Sequence, residues 1–395
     1  MRTTTACSCR RTTTEGSALD GIYDVLKRPS IDDESSVDEV AERRFAVRTT
    51  VAFATTLGLG TLGAFAFWEL HMPLPWLLGS MFVTSVAAIA RAPISVPGFA
   101  RPPMTAVIGT ILGSSFHQGL FSHIDEWLIP LVGLVLFLIT AGGASYLYFR
   151  KFAGFDHTTA YFAGMPGGLV EMVMLGTERG GDERMMALVH SARIFLVVMS
   201  LPFIFQAITG QAVGRGVGNW VGLDSLSLLD ILWFAMALVA GVVLGTFARF
   251  PARYLLGPIS VSGLLHYFGV TDFTVPTVIL CVAQIVIGAA VGARFAKANP
   301  RTVIKVFALS VGSTAQLLSI TVAAAFLVSL ISDMTFEALV LAYSPGGLAE
   351  MSLMALSLHV EIPFVILHHV ARVLLVVAGA TAAFKLIRPR NSPKP

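Results

Sequence analysis

Charged residues and cysteines are both scarce in this sequence of 395 residues. Charged side chains make up 13% of the residues and apolar side chains 55%, whereas about 25% of the residues of a soluble domain are charged. The three cysteines, Cys7, Cys9 and Cys281, are too few and too scattered for a disulfide framework. This composition excludes an ordinary soluble domain and a disulfide scaffold. With a mean hydropathy of +0.76, it predicts a chain that crosses a lipid bilayer several times.

Metal-ligand spacings are also missing. The nine histidines form no H-x-x-H or H-E-x-x-H pattern, and Cys7-Ser8-Cys9 alone does not indicate a metal site. We therefore expect neither a metal ion nor a cofactor. The basic residues lie in short segments between apolar runs and include no helix-turn-helix candidate, so we expect no direct binding to nucleic acid.

The sequence contains one long pattern twice. M-P-G-G-L-V-E-M at residues 165–172 returns as S-P-G-G-L-A-E-M at 344–351, and H-S-A-R at 190–193 returns as H-V-A-R at 369–372, in both cases 179 residues later. Two shorter patterns repeat at separations of 178 and 179 residues: L-L-G at 77–79 and 255–257, and G-x-x-x-G at 109–113 and 288–292. A duplication of this length in an apolar chain is typical of membrane transporters built from two repeats with a site between them.

We divide the chain into a tail (1–42), a first membrane repeat (43–210) and a second membrane repeat (225–388). The tail carries five Lys or Arg against nine Asp or Glu and has no long apolar run, so we predict a disordered acidic tail and not a signal peptide. Each repeat has five apolar stretches long enough to span a bilayer and one segment that contains Pro-Gly-Gly. The predicted spans are 46–69, 73–90, 102–120, 126–149 and 183–207, then 228–249, 253–270, 275–294, 303–331 and 362–386; the Pro-Gly-Gly segments are 156–179 and 335–357.

Arginine and lysine positions indicate how the repeats are oriented. By the positive-inside rule, Arg91 and Arg101 place the second loop of the first repeat in the cytoplasm, whereas Arg249 and Arg253 place the first loop of the second repeat there. Equivalent spans therefore run in opposite directions, which requires an odd number of crossings per repeat. We predict an all-α polytopic membrane protein with inverted repeats, about ten spans, two re-entrant Pro-Gly-Gly segments and both termini in the cytoplasm. In the alternative, each Pro-Gly-Gly segment crosses the membrane and the two halves are parallel.

The sequences Pro166-Gly167-Gly168 and Pro345-Gly346-Gly347 predict breaks in helices inside the membrane. Proline removes a backbone donor, and glycine allows backbone angles that other residues resist. Open N–H and C=O groups are tolerated at membrane depth only where they are buried in protein or face water. Since the helix that resumes after the break has a partial positive charge at its start, we predict that these residues bind an anionic substrate group. A packing kink without a ligand is the simpler alternative.

Glu171 and Glu350 lie in the first turn of each resumed helix. A carboxylate there stabilises the helix dipole by about 0.3–1 kcal/mol, which is a purely structural role. Inside a membrane protein the charged form of a carboxylate is also disfavoured, so the same side chain can load and release a proton. We predict that both glutamates take part in proton coupling.

Arg193 and Arg372 lie near the middle of the last span of each repeat, and His190 and His369 precede them by three residues on the same helix face. A guanidinium at the centre of a span costs about 2.5–3.5 kcal/mol on insertion scales, so it needs an inward-facing partner. We predict that the arginines bind an anionic group and that the histidines join the glutamates in handling protons. The alternative is an ion pair between the arginine and the glutamate of each repeat, without a ligand.

The doubled P-G-G-L-x-E-M with its downstream H-x-x-R, together with L-L-G near the start of each half, resembles the AbrB-type duplicated membrane proteins of bacteria. The resemblance covers residues 45–386. Members of that family are labelled as regulators of gene expression or as ammonia monooxygenases. A copper monooxygenase would need clustered histidines, and only His368 and His369 are adjacent in this sequence.

The leading hypothesis for function is a proton-coupled secondary transporter for a small anionic or zwitterionic solute. Its partners are the lipid bilayer and the solute, and a homo-oligomer is left open. The second hypothesis is a membrane regulator that senses a solute and changes gene expression. The third is an ammonia-oxidising enzyme, which the histidine spacing does not support.

Overall fold

A computed structural model describes residues 31–209, 221–222, 227–296 and 298–387. The chain forms two compact units, residues 1–51 and 52–395. Of the first unit, residues 31–51 are described and are helical. The predicted tail thus overlaps a helix at 31–42, and its residues 1–30 lie outside the described residues. The second unit holds the duplicated patterns.

The described residues form fourteen α-helices, seven in each repeat. Those of the first repeat are α1 (Ile31–Glu69), α2 (Pro75–Ile89), α3 (Arg101–Gly113), α4 (Leu128–Tyr148), α5 (His157–Gly164), α6 (Leu169–Thr177) and α7 (Glu183–Thr209). Those of the second are α8 (Leu228–Phe247), α9 (Arg253–Tyr267), α10 (Thr277–Gly292), α11 (Pro300–Ser329), α12 (Phe336–Tyr343), α13 (Leu348–Ser357) and α14 (Ile362–Ile387). Each helix of the second repeat is the counterpart of the helix seven places earlier. The predicted all-α fold with two homologous halves is confirmed.

Seven of the described helices, α1, α4, α7, α8, α10, α11 and α14, are long and apolar enough to cross a membrane. The predicted spans at 73–90, 102–120 and 253–270 correspond to α2, α3 and α9, which have 15, 13 and 15 residues. A 15-residue helix is about 22 Å long, less than the roughly 30 Å of the hydrocarbon core. These helices are shorter than predicted because turns interrupt the apolar runs, as at Leu74 and Gly269, whose φ values of 43° and 66° cannot continue a helix.

The fourth helices of the two repeats, α4 and α11, lie side by side and antiparallel. Near the start of α4, a Cβ added to Gly133 would lie 2.8 Å from Cγ2 of Val328, near the end of α11. At the other end of α4, the Tyr148 hydroxyl donates to the Leu309 carbonyl at 3.0 Å. Equivalent helices of parallel repeats would run in the same direction. The antiparallel pair therefore supports the inverted arrangement that the arginine positions predicted.

The two duplicated small-residue patterns meet each other across the repeats. A Cβ on Gly109 of α3 would lie 2.6 Å from the Leu255 carbonyl oxygen of α9, and one on Gly288 of α10 would lie 2.5 Å from the Leu77 carbonyl oxygen of α2. The L-L-G of each half thus packs on the G-x-x-x-G of the other half. Since no side chain fits between these backbones, glycine is required for the helices to approach this closely.

Each Pro-Gly-Gly segment forms a hairpin of two short helices, α5–α6 and α12–α13. In the first hairpin, the Asp182 amide just after α6 donates to the Thr159 hydroxyl in the first turn of α5 at 2.9 Å. In the second, Thr335 before α12 and Leu358 after α13 line the same cavity. The segment therefore begins and ends on one side, as predicted for a re-entrant element. With 8 to 10 residues, each arm is about 12–15 Å long, roughly half the hydrocarbon thickness.

The inverted arrangement predicts that the two hairpins open to opposite sides of the membrane. Glu178 follows the first hairpin and Glu361 follows the second, and both are exposed. After replacement of the three native cysteines, Glu178→Cys and Glu361→Cys should react with a membrane-impermeant thiol reagent from opposite faces of oriented membranes. Labelling of both positions from one face would contradict the inverted arrangement.

Candidate functional site

The candidate site is built around the breaks between α5 and α6 and between α12 and α13. Both hairpins start in the same way: Asp156 accepts from the Thr158 and Thr159 amides, and its counterpart Thr335 accepts from the Ala338 amide. These side chains cap the short helices and fix where they begin. The break follows eight residues later in both repeats. The sequence thus places the two breaks at equivalent depths.

The second glycine of each break leaves room for a glutamate side chain and does not adopt a special backbone angle. Gly168 has φ −66° and ψ 140°, and Gly347 has φ −75° and ψ 147°, values that any residue adopts. The expectation that these glycines adopt angles closed to other residues is therefore wrong. A Cβ on Gly168 or Gly347 would instead collide with the carboxylate of Glu171 or Glu350, which folds back over the break.

The two predicted arginines bind the carbonyl groups that the breaks leave open. Arg193 donates from Nη1 to Gly164 O at 3.2 Å and from Nη2 to Met165 O at 3.0 Å. Arg372 donates from Nη1 to Ser344 O and from Nη2 to Gly346 O, the latter at 3.0 Å. Both guanidinium groups are buried, at 3% and 4% exposure. The last carbonyls of a helix have no partner within it, and here a planar fork supplies two donors to each broken end.

The two predicted histidines contact backbone carbonyls of α5 and α12, about one turn before the carbonyls that the arginines bind. Nε2 of His190 lies 3.0 Å from Phe162 O, and Nε2 of His369 lies 3.0 Å from Leu341 O. These contacts require hydrogen on Nε2 of both rings. In the first repeat Arg193 donates to Nδ1 of His190, whereas Nδ1 of His369 is buried without a hydrogen-bond partner among the described residues. The histidine and the arginine are therefore hydrogen-bonded to each other in the first repeat but not in the second.

The two glutamates have different surroundings. Glu350 is buried, at 2% exposure, and its Oε1 lies 3.9 Å from Nη2 of Arg101, at the start of α3. Arg294, just after α10, is close enough to Glu350 and Arg101 for both charges to act on it. Glu171 is partly buried and has no ion pair within the described part of the chain. The predicted alternative, an ion pair between arginine and glutamate within each repeat, does not form there.

The two breaks approach each other in the protein interior. The charges of Arg193 and Arg372 act on each other, and a Cβ on Gly167 would lie 2.7 Å from Cγ1 of Val376 on α14, the helix that carries Arg372. The structure thus brings together all the residues that the sequence analysis selected: Pro166, Gly167, Gly168, Glu171, His190 and Arg193 around one break, and Pro345, Gly346, Gly347, Glu350, His369 and Arg372 around the other.

The sequence analysis missed Arg101 and Arg294 as members of the site, because it used basic residues at span ends only to orient the chain. A signal was available in the duplication. The counterpart of Arg101 is Leu280 and that of Arg294 is Ser115, 179 residues away in each case. Two arginines without a basic counterpart, in a duplication that copies its central arginines, mark a place where the halves differ.

Sequence comparisons agree with the resemblance noted above. The chain is 26% identical over 363 residues to "Uncharacterized protein YhjN" of Bacillus subtilis (strain 168), covering 86% of this chain and 94% of the relative. It is 23% identical over 338 residues to "Putative regulator AbrB" of Escherichia coli (strain K12), covering 83% of this chain and 94% of the relative. The family model described as "Transition state regulatory protein AbrB" matches residues 76–388. Since this match spans most of the chain and both repeats, the protein belongs to the AbrB family.

Proposed function

We propose that this protein is a proton-coupled secondary transporter for a small anionic or zwitterionic solute, located in a bacterial inner membrane with both termini in the cytoplasm. The observation that carries the proposal is the pair of re-entrant hairpins, one from each inverted repeat, whose broken ends approach each other beside buried arginines. In transporters built from inverted repeats, a site at the repeat interface is exposed to either side by movement of one repeat against the other.

The chemistry of the breaks favours a solute with a negatively charged group. α6 and α13 begin at the breaks, and the start of a helix carries a partial positive charge. Nε of Arg372 and Nδ1 of His369 are buried without a hydrogen-bond partner among the described residues. Nε of Arg372 is a donor, and because an unpaired buried donor costs about 1–3 kcal/mol, it favours an anionic ligand or water at the second break. Nδ1 of His369 is an acceptor, since the ring hydrogen lies on Nε2, and it favours water or a donor group.

The second hairpin opens onto a polar cavity at the end opposite to its break. A cavity of about 510 Å³ lies where the hairpin opens, between the ends of α12 and α13. Its lining includes Glu126, Asp333, Glu337, His359 and Glu361. A polar cavity of this size at the mouth of a re-entrant hairpin admits water and small hydrophilic molecules.

The experiment that tests the proposal is proton-driven uptake by the full-length protein in liposomes. Candidate solutes come from a thermal-stability screen of purified protein, since a ligand at 100 times its dissociation constant adds about 2.7 kcal/mol to stability. We expect an inwardly directed proton gradient to accumulate the solute and a protonophore to abolish this accumulation. Solute accumulation that does not depend on the proton gradient would contradict proton coupling. Solute binding without any flux would contradict transport.

Glu171→Gln and Glu350→Gln should each leave the fold intact and change how uptake depends on pH. Glutamine has nearly the same shape as glutamate but carries no titratable proton, so a proton relay that includes the carboxylate is lost. The measurement is the initial uptake rate as a function of pH, between about pH 5 and 8. If both variants keep the pH profile of the unaltered protein, neither glutamate couples protons.

A second candidate function is regulation of gene expression, because the Escherichia coli relative is named as a regulator. Such a protein would bind a solute in the same place and signal through its tail or a partner. Deletion of the tail, residues 1–42, separates the two functions. A transporter should retain solute flux without this segment, whereas a regulator that signals through its tail should lose its transcriptional effect.

A further inference from the structure

Arg101, Arg294 and Glu350 form a charged cluster at the second break. The cluster joins both repeats, because Arg101 begins α3 whereas Arg294 follows α10 and Glu350 lies in the first turn of α13. It contains two positive charges and one negative charge. The Arg101 side chain is 42% exposed and that of Glu350 is 3% exposed, so the cluster leads from the protein surface to the broken helix.

Glu350 does not satisfy all the guanidinium hydrogen-bond donors of this cluster. The distance of 3.9 Å between Nη2 of Arg101 and Oε1 of Glu350 is an ion pair but too long for a hydrogen bond. Nη1 of Arg294 is buried without a hydrogen-bond partner in the described part of the chain. A buried donor without a partner is rare in proteins, and a charged one favours an oxyanion, since guanidinium groups match carboxylate and phosphate geometry.

We propose that Arg101 and Arg294 bind the oxyanion group of the transported solute in exchange for Glu350, which takes up one proton when the solute binds. This inference rests on the proposed transport function and assigns its binding and coupling residues. The incoming oxyanion replaces the carboxylate as the counter-ion of the two arginines. Glu350, buried and without its counter-charge, is then protonated from carboxylate to carboxylic acid, because burial disfavours its charged form. One anion and one proton bind together, so no net charge is added.

The other charged groups on the helices packed against α13 do not offer Glu350 a substitute partner. Their described polar contacts run to backbone carbonyls or to one another. On α14 they are His368, His369 and Arg372, and on α7 they are His190 and Arg193. Glu183 and Arg184, at the start of α7, are exposed, and Glu337 on α12 lies at the opposite, open end of the hairpin.

The first repeat lacks this cluster, since Leu280 and Ser115 occupy the positions that correspond to Arg101 and Arg294. Glu171 accordingly has no ion pair among the described residues. The duplication therefore provides two breaks but one oxyanion site, and we expect one bound anion per chain.

The test is binding of sulfate and formate, which do not titrate near neutral pH, to the purified full-length protein in detergent. Binding is followed by the thermal unfolding midpoint, and proton uptake by a pH-sensitive dye in weakly buffered solution. We expect saturable binding with uptake of one proton per anion. Arg101→Gln and Arg294→Gln should each weaken binding about tenfold or more, as for loss of a charge-assisted hydrogen bond. Arg301→Gln, which removes an exposed arginine from the start of α11, is the control and should bind normally.

Glu350→Gln separates anion binding from proton uptake. This variant should bind the anion at least as tightly as the unaltered protein and take up no proton. Arg101→Lys, which keeps the charge but loses the planar fork, should be intermediate, and it serves if Arg101→Gln does not fold. Equal binding by the unaltered protein and the Arg101 and Arg294 variants, or proton uptake that persists in Glu350→Gln, overturns the inference. If the anions do not bind but proton-driven uptake in liposomes persists, the proposed site is wrong and the transport function stands. If the anions bind but no solute flux is found, the transport function is wrong and the anion site stands.

Discussion

Replacement of Arg372 by leucine should prevent the protein from folding stably. The guanidinium donates to the Ser344 and Gly346 carbonyls at the second break, and no helix donor can replace it there. Each buried carbonyl left without a partner costs about 1–3 kcal/mol, so the loss is about 2–6 kcal/mol from a total that is typically 5–15 kcal/mol. The amount of protein extracted from membranes and its thermal unfolding midpoint measure the effect.

Arg372→Lys should fold but bind and transport the solute poorly. An ammonium group keeps the charge and can reach one carbonyl, but it lacks the planar fork that holds two. Arg193→Lys is the matched comparison. Because Arg193 also donates to His190, whereas Nε of Arg372 has no hydrogen-bond partner among the described residues, we expect the larger loss of solute binding at Arg372. If Arg193→Lys and Arg372→Lys both transport normally and Arg372→Leu only reduces expression, both arginines have structural roles alone.

The overall architecture could be predicted from the sequence because the membrane imposes strong constraints on it. The 179-residue separation between the repeated patterns identified the two halves. Basic residues lie in different loops of the two halves, which predicted the antiparallel orientation that α4 and α11 show. Lipid excludes open backbone groups, so a Pro-Gly-Gly sequence inside an apolar segment already indicates a buried break. The lengths of α2, α3 and α9 could not be predicted in this way, because they depend on close packing between the repeats and on turns such as those at Leu74 and Gly269.

The partners of the charged side chains could not be predicted from sequence separation. The alternative considered for Arg193 was an ion pair with Glu171 of the same repeat. The structure instead pairs Glu350 with Arg101, which comes from the other repeat, and directs the central arginines to backbone carbonyls. Packing between inverted repeats joins residues nearly 250 positions apart, and no pattern along one repeat contains that information.

Gly347→Ala should leave the protein folded but reduce transport about tenfold or more, as for a loss of about 1.4 kcal/mol of binding. Alanine can adopt the φ of −75° and ψ of 147° at this position, so the break itself is expected to persist. The added Cβ would collide with the Glu350 carboxylate and move it away from the start of α13. Only about 0.3–1 kcal/mol of helix-dipole stabilisation is lost with that movement. Gly168→Ala should displace Glu171 in the same way.

Two comparisons show whether this effect passes through the glutamate. Gly379→Ala, on α14, places its Cβ where no other atom lies within 4 Å; it should transport normally and gain up to about 1 kcal/mol from helix propensity. In the double variant Gly347→Ala/Glu350→Ala the collision is absent, so the glycine substitution should add nothing to the effect of Glu350→Ala alone. This non-additivity is expected only if the two residues act through their contact. Normal transport by Gly347→Ala, or losses that add in the double variant, would mean that the glycine serves packing and does not position Glu350.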